Sequence, residues 1–277
     1  MKTQARLQLI YDQDCPLCSW YTKLFVKYGF LEKNGRVAFR DIARKTVMDF
    51  DLQKAKNKIA LLDNSTQETS YGIDSLLKIL GQKQAWIERV GKFKPVYLFL
   101  SVFYAFITYN RKAFAPSQCT GYCDCYPSRS LFWRTTLVLL IGLYVNHVTS
   151  IYFSQHLSAW FVGQTYWLDS IFYLSQFAFL FLVFRLTRQQ NFYDYAGQIA
   201  VISLLGAFAL QFFHWGLSGA AALGIEIGML EPFCYGMVYL FMLYEHKRRC
   251  KILGVHWHMS LAWILFRFAI YPFAFVL

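Results

Sequence analysis

Hydrophobic and polar positions divide the 277-residue chain in two. Up to about residue 95, short apolar stretches alternate with polar ones, as in a mixed α/β domain. RLQLIY at 6–11 reads as a buried strand, and the loop DQDCP follows it. LCSWYTKLFVKYGF is then a helix with Leu17, Tyr21, Leu24, Phe25 and Tyr28 on one face. RVAFRDIA is a second strand with Val37 and Phe39 on one side. A charged helix, TVMDFDLQKAKN, leads to a third strand, KIALLD. NSTQ is a turn, ETSYGI a hairpin strand, and Asp74 or Ser75 caps a helix through SLLKIL. The order β-α-β-α-β-β-α, with its first helix opening at two cysteines, predicts a small thioredoxin-like α/β domain. PVYLFLSVFYAFITYN at 95–110 is apolar but short, with Lys92 and Lys94 before it and Arg111 and Lys112 after it. Equal positive flanks argue against crossing a bilayer, so a helix packed on the domain or lying at the membrane surface is expected.

From Leu131 onward long apolar runs dominate. Five are long enough to span: about 131–151, 167–186, 196–213, 220–244 and 259–277. The expected division is therefore a thioredoxin-like domain over 1–125 and an all-α transmembrane bundle over 126–277. The connecting loops alternate in charge. QHLSAWFVGQTY and HWGLSG have no Lys or Arg, RLTRQQN has Arg185 and Arg188, and EHKRRCK has Lys247, Arg248, Arg249 and Lys251. Positive loops stay cytoplasmic, which predicts a plasma- or inner-membrane protein with a cytoplasmic N-terminal domain and an outside C-terminus.

Composition agrees with this division: 56% of residues are hydrophobic and 19% aromatic. The net charge of +12 comes from scattered bases in the first half and from the ends of apolar runs in the second, so no nucleic-acid partner is expected. MKTQARLQLIYDQDC lacks an apolar h-region, so a cleaved signal peptide is not expected. Seven unevenly spaced cysteines do not form a secreted disulfide framework.

The sharpest chemistry is Cys15-Pro16-Leu17-Cys18, after a strand and at the start of a helix. Both sulfurs then lie on the first helical turn, with the first aimed at unpaired backbone N–H groups that lower its pKa. The second can attack a mixed disulfide formed on the first. Half of a zinc site and simple packing are the competing readings, although the chain has no second CxxC.

YDQDCPLC, with Asp12 three residues before Cys15, resembles the D-x-x-C-x-x-C signature of the DCC family of predicted thiol-disulfide oxidoreductases. FRDI at 39–42, YGIDSLLKIL at 71–80 and YNRK at 109–112, with Cys119 soon after, resemble later family segments, so the likeness covers roughly residues 6–120. Gln13 stands where the family commonly has glycine, and no proline between Pro16 and Pro95 supplies the substrate-clamping cis-proline of thioredoxins proper. The resemblance implies an enzyme exchanging thiols and disulfides, with Cys15 attacking and Cys18 resolving. Its partner is a disulfide-bearing protein or a small thiol, and no cofactor is needed beyond the dithiol. Asp12 is read either as the group that takes the proton from Cys18 or as an Asx-type cap of the loop. In the reducing cytosol the pair rests reduced, which favours a reductase or a thiol sensor.

Several residues fall outside that reading. Cys119, Cys123 and Cys125 crowd one segment before the first span, where resolving thiols, a Zn or Cu(I) site and idle thiols all remain open. Glu231 and Arg267 fall near the middle of adjacent runs and are expected to pair, with Pro232 kinking its helix. Glu226, His147, His156 and His214 share the expected outer level and are candidates for a metal or quinone site. The competing class is therefore an integral membrane transporter or ligand-binding protein whose N-terminal domain is a redox sensor or scaffold.

Overall fold

The computed structural model describes residues 5–43, 51–117, 127–158 and 166–267. The chain forms two compact units, Met1–Trp133 and Arg134–Leu277.

In the first unit, β1 (Leu7–Tyr11) is central to a four-stranded mixed sheet of order β2-β1-β3-β4. β2 (Arg36–Ala38) runs parallel to β1, and β3 (Ala60–Asp63) runs antiparallel to it. β4 (Glu68–Tyr71) closes the expected hairpin, with Asp63 opposite Glu68. Successive side chains of β1 serve opposite faces. Leu7 and Leu9 join Leu31, Ile59, Leu61 and Ile79, with Tyr21 and Phe25 of α1 (Pro16–Lys27) packed against them. Ile10 joins Phe39, Ala55 and Ala60 on the other side.

Two local expectations need correction. FRDIA is not strand: β2 stops at Ala38 and the chain enters α2 (Phe39–Ala43). Ala38 pairs with Tyr11, the last residue of β1, so beyond it β2 has no partner to hydrogen-bond. The charged segment forms α3 (Leu52–Asn57), capped by Asp51, whose side chain accepts from the Lys54 N–H. Neither Asp74 nor Ser75 caps the next helix. α4 (Ile73–Gly81) starts from Gly72, at φ +67° and ψ −129°, a conformation a residue with Cβ resists. The Gly72 N–H donates to the Ile59 carbonyl at 2.8 Å, tying the helix start to the sheet. Asp74 instead accepts from the Tyr97 hydroxyl.

α5 (Ala85–Gly91) leads to α6 (Lys94–Phe114), which packs on the sheet domain. The Tyr104 hydroxyl accepts from the Ile59 N–H at 2.9 Å. Leu98, Phe99, Val102 and Phe103 remain exposed along α6. α6 thus contacts the sheet domain through Tyr104 and presents apolar side chains outward. α5 and α6 together pass the length and hydropathy test for a span only as a pair bent by 88°.

The second unit is helical. α7 (Leu131–Tyr152) continues into a π-helical turn, Phe153–Leu157. α8 (Tyr166–Leu186), α9 (Phe192–Ala222), α10 (Leu230–Leu253) and α11 (His258–Leu265) follow. Among the described residues, 131–157, 168–186 and 192–222 are long and apolar enough to cross a membrane, and the bent pair makes a fourth candidate. Most of the fifth expected run, 259–277, lies outside the described residues.

The boundary between the third and fourth expected spans moves. HWGLSG is helical within α9, because Gly216 and Gly219 have open space around them and helices in lipid tolerate glycine. The turn comes at 223–229 instead, where Gly224 adopts φ +77°. Glu231 consequently sits in the first turn of α10 and not in mid-span. Pro232 lies in the same turn, where its missing N–H has no helical acceptor to lose, so it does not kink the helix. EHKRRCK, expected as a loop, is the last part of α10.

Candidate active site

β1 ends at Tyr11, and Asp12 begins the loop that delivers Cys15 to the start of α1. Cys15 is the N-cap, at φ −94° and ψ 113°, and Pro16 opens the helix, where a residue without N–H is suited. The Cys15 sulfur accepts from the Cys18 N–H at 3.4 Å, so a thiolate there meets one of the helix's unpaired donors. Gln13 keeps an ordinary negative φ, so glycine's freedom is not needed in this loop. Both cysteines are free thiols. Cys15 is 0% exposed and Cys18 6% exposed.

The electrostatics separate the two sulfurs. A hydrogen bond from the Cys18 thiol, helped by the Cys18 backbone N–H and the Arg111 charge, lowers the Cys15 pKa to about 6 against the cost of burial. Cys18 is pushed up, first because it donates that hydrogen bond and then by burial. Tyr21, alongside, is raised by burial and is a neutral phenol.

Asp12 and Arg111 form a buried ion pair beside the cysteines, with Arg111 Nη2 3.0 Å from Asp12 Oδ2. The other Asp12 oxygen accepts from the Asp14 N–H at 3.0 Å, so the loop-capping geometry is present. Asp14 in turn pairs with Arg40 of α2 at 3.1 Å. Arg111 was not among the sequence-derived site residues. Its signal was the Asn110-Arg111 pair closing an apolar helix, too general to name Asp12 as the partner across 99 residues.

An apolar cavity of about 350 Å³ opens beside the pair. Cys18, Tyr21, Phe39, Leu76, Phe103 and Ile107 line it, and the Asp12–Arg111 pair lies at its wall. Cys119, Cys123 and Cys125 lie outside the described residues.

In the helical unit the polar residues are brought together differently from the expectation. Glu231 does not pair with Arg267: its carboxylate lies 2.9 Å from His156 Nδ1. His156 Nε2 lies 3.1 Å from His214 Nδ1, and the Tyr152 hydroxyl donates to the Glu231 carbonyl. Arg267 packs over the rings of Trp263 and Tyr239, at 5.6 and 5.9 Å. Moving the α9–α10 turn to 223–229 shifts Glu231 to the end of its helix, which is why the depth argument for Arg267 fails. Of the proposed outer-level set, His156 and His214 meet, whereas His147 is exposed and Glu226 lies in the exposed turn. Among the described residues no three or more His, Cys, Asp or Glu are grouped to hold a metal ion.

The first unit thus holds a dithiol at a helix start, beside the central strand of a mixed sheet. Residues 9–115 match the family model of the DCC1-like thiol-disulfide oxidoreductases. No curated protein and no solved structure matches the chain significantly.

Proposed function

We propose that this chain is a membrane-bound thiol-disulfide oxidoreductase whose Cys15–Cys18 pair cycles between dithiol and disulfide on the cytosolic side. The carrying observation is the Cys15 sulfur at the N-cap of α1, held by the Cys18 N–H and thiol, with Arg111 nearby. A sulfur so held is a thiolate at neutral pH, a good leaving group and a poor proton acceptor. Cys18 holds the proton of the reduced pair, and Asp12 is its acceptor during turnover. The reducing cytosol keeps the pair reduced at rest, which suits a reductase or a thiol sensor.

Residue charges support the orientation. The ends near 185–188 and 247–251 are basic, whereas 158–166 and 223–229 contain no Lys or Arg. The N-terminal domain then faces the cytoplasm.

The test uses the full chain in lipid nanodiscs. Treatment with a mild oxidant followed by a dithiol should interconvert two states differing by one disulfide, mapped by peptide mass to Cys15 and Cys18. Cys15→Ser and Cys18→Ser should each abolish the interconversion. A pair that stays reduced under an oxidant that converts Cys119, Cys123 or Cys125 sinks the reading.

The Glu231–His156–His214 chain favours a second reading, in which the helical unit binds or moves a ligand of its own. Ionisable groups in membrane helices are costly unless they serve a purpose, and π turns recur at functional sites. Substrate binding that depends on Glu231 but not on Cys15 would select it.

A further inference from the structure

Burial leaves the redox pair a single approach among the described residues. Cys15 has no exposed surface, so the loop of a folded protein cannot bring a disulfide to its sulfur without opening the domain. Cys18 retains 6% exposure and lines the cavity of about 350 Å³. That volume suits a small molecule, since ligand pockets run from about 300 to 1,000 Å³. Its walls are aliphatic and aromatic: Ile10 and Phe39 from the sheet side, Phe25 from α1, Leu76 from α4, and Phe103 and Ile107 from α6. The charged groups on it are Asp12 and Arg111, joined to each other beside the sulfurs. An apolar chamber of this size, with one sulfur on its wall, complements a small molecule with an apolar body and a single reactive sulfur.

We propose that the substrate of the pair is a low-molecular-weight apolar thiol and its disulfide, and that it exchanges at the sulfur of Cys18. This rests on the redox reading above and narrows the partner from a protein disulfide or small thiol to the small apolar one. Starting from the oxidised pair, the substrate thiolate RS⁻ attacks the Cys18 sulfur. An RS–S bond to Cys18 forms, the Cys15–Cys18 bond breaks, and the electron pair leaves on Cys15. A second RS⁻ attacks the substrate sulfur of the mixed disulfide. RSSR departs and the electron pair leaves on Cys18, which takes up a proton. Two thiols have lost two electrons to one protein disulfide, and reduction of RSSR is the same path reversed. The asymmetry of the pair fits the first displacement: lower-pKa thiols leave faster, and Cys15 has the low pKa. The cavity thus assigns Cys18 to the substrate and Cys15 to the departing position, the reverse of the roles that the resemblance implies.

The experiment compares two activated disulfides, octyl 2-pyridyl disulfide and glutathionyl 2-pyridyl disulfide, on the full chain in nanodiscs. Pyridinethione release gives the rates, and peptide mapping assigns the labelled sulfur. Each rate is divided by that of the same probe on the urea-unfolded chain. In Cys15→Ser the octyl probe should label Cys18 at least tenfold faster than the glutathionyl probe. In Cys18→Ser neither probe should label Cys15 above one-tenth of its unfolded rate. Ile107→Trp, which fills the cavity, should slow octyl labelling of Cys18 at least tenfold in the Cys15→Ser background. Cys15 and Cys18 must remain shielded from a bulky polar maleimide, which shows that each variant is folded. Equal normalised rates for the two probes, or rapid labelling of Cys15 in Cys18→Ser, overturn the assignment. Failure of the redox reading looks different: the wild-type pair then fails to interconvert with oxidant and dithiol, whatever the probes do.

Discussion

Replacing Arg111 by methionine removes the charge that faces Asp12 and keeps most of the side-chain volume. Arg111 and Asp12 are both nearly buried, 7% exposed each, with 3.0 Å between donor and acceptor. Two unit charges about 4 Å apart attract by about 4 kcal/mol at an effective dielectric constant of about 20. Removing one partner of a buried pair costs about 3–5 kcal/mol, because the remaining charge stays uncompensated. In Arg111→Met the carboxylate keeps, among the described residues, only the Asp14 N–H on its other oxygen. A domain of this size loses roughly 4 °C of melting temperature per kcal/mol, so the variant should melt about 12–20 °C below the wild type. Asp12→Leu should fall similarly, whereas the double variant should recover most of the loss. Because both cysteines are buried, their reaction with a bulky polar maleimide during heating reports unfolding of this domain. The Cys15 thiolate supplies a second readout: losing the Arg111 charge should raise its pKa. If the double variant melts as low as the worse single one, or if Arg111→Met melts with the wild type, the buried-pair argument fails.

Three further outcomes can be measured. The ultraviolet thiolate absorbance of the reduced wild type minus Cys15→Ser should rise through a midpoint near pH 6 and level off by pH 8. The Cys15 thiol is protonated below that midpoint, and a midpoint near the ordinary thiol value of about 8.5 would remove the basis for its role. His156→Leu strips the partly exposed Glu231 carboxylate of its ring partner and should lower the thermal stability of the helical unit by about 1 kcal/mol. Arg267→Met should cost less than that, since Arg267 stacks on rings and does not serve Glu231. Finally, a reporter active only in the cytoplasm should work when fused before Met1 and fail when joined within 223–229. Activity at both places, or at the second alone, breaks the proposed orientation.

The local chemistry around the cysteines was legible because it depends on neighbours in sequence. A strand, a short loop, Cys15 before Pro16, and Cys18 one turn on are all written within a dozen residues, and the N-cap geometry follows from them. The hairpin of β3 and β4 was equally local. What escaped depends on tertiary context. Arg111 reaches Asp12 only because α6 lies on the sheet domain, and no spacing rule predicts that contact. FRDIA has strand-like alternation, yet the strand ends where β1 ends. The helix boundary near HWGLSG misled because glycine reads as a breaker in water but continues a helix in an apolar run. That one shift of boundary carried Glu231 from an expected partner in Arg267 to an actual one in His156.

The length of α9 has a consequence for that histidine. Its 31 residues extend about 46 Å, against a hydrocarbon core of about 30 Å. A tilt of about 20° shortens its reach across the bilayer only to about 43 Å, so roughly 13 Å must emerge from the hydrocarbon. The helix already marks its limits with polar groups: Gln198, bonded to Arg249, near one end and His214 near the other. About 24 Å of helix separates these two, less than the core thickness. His214 and Gln198 therefore both fit within the core thickness, and the surplus length of α9 projects beyond them.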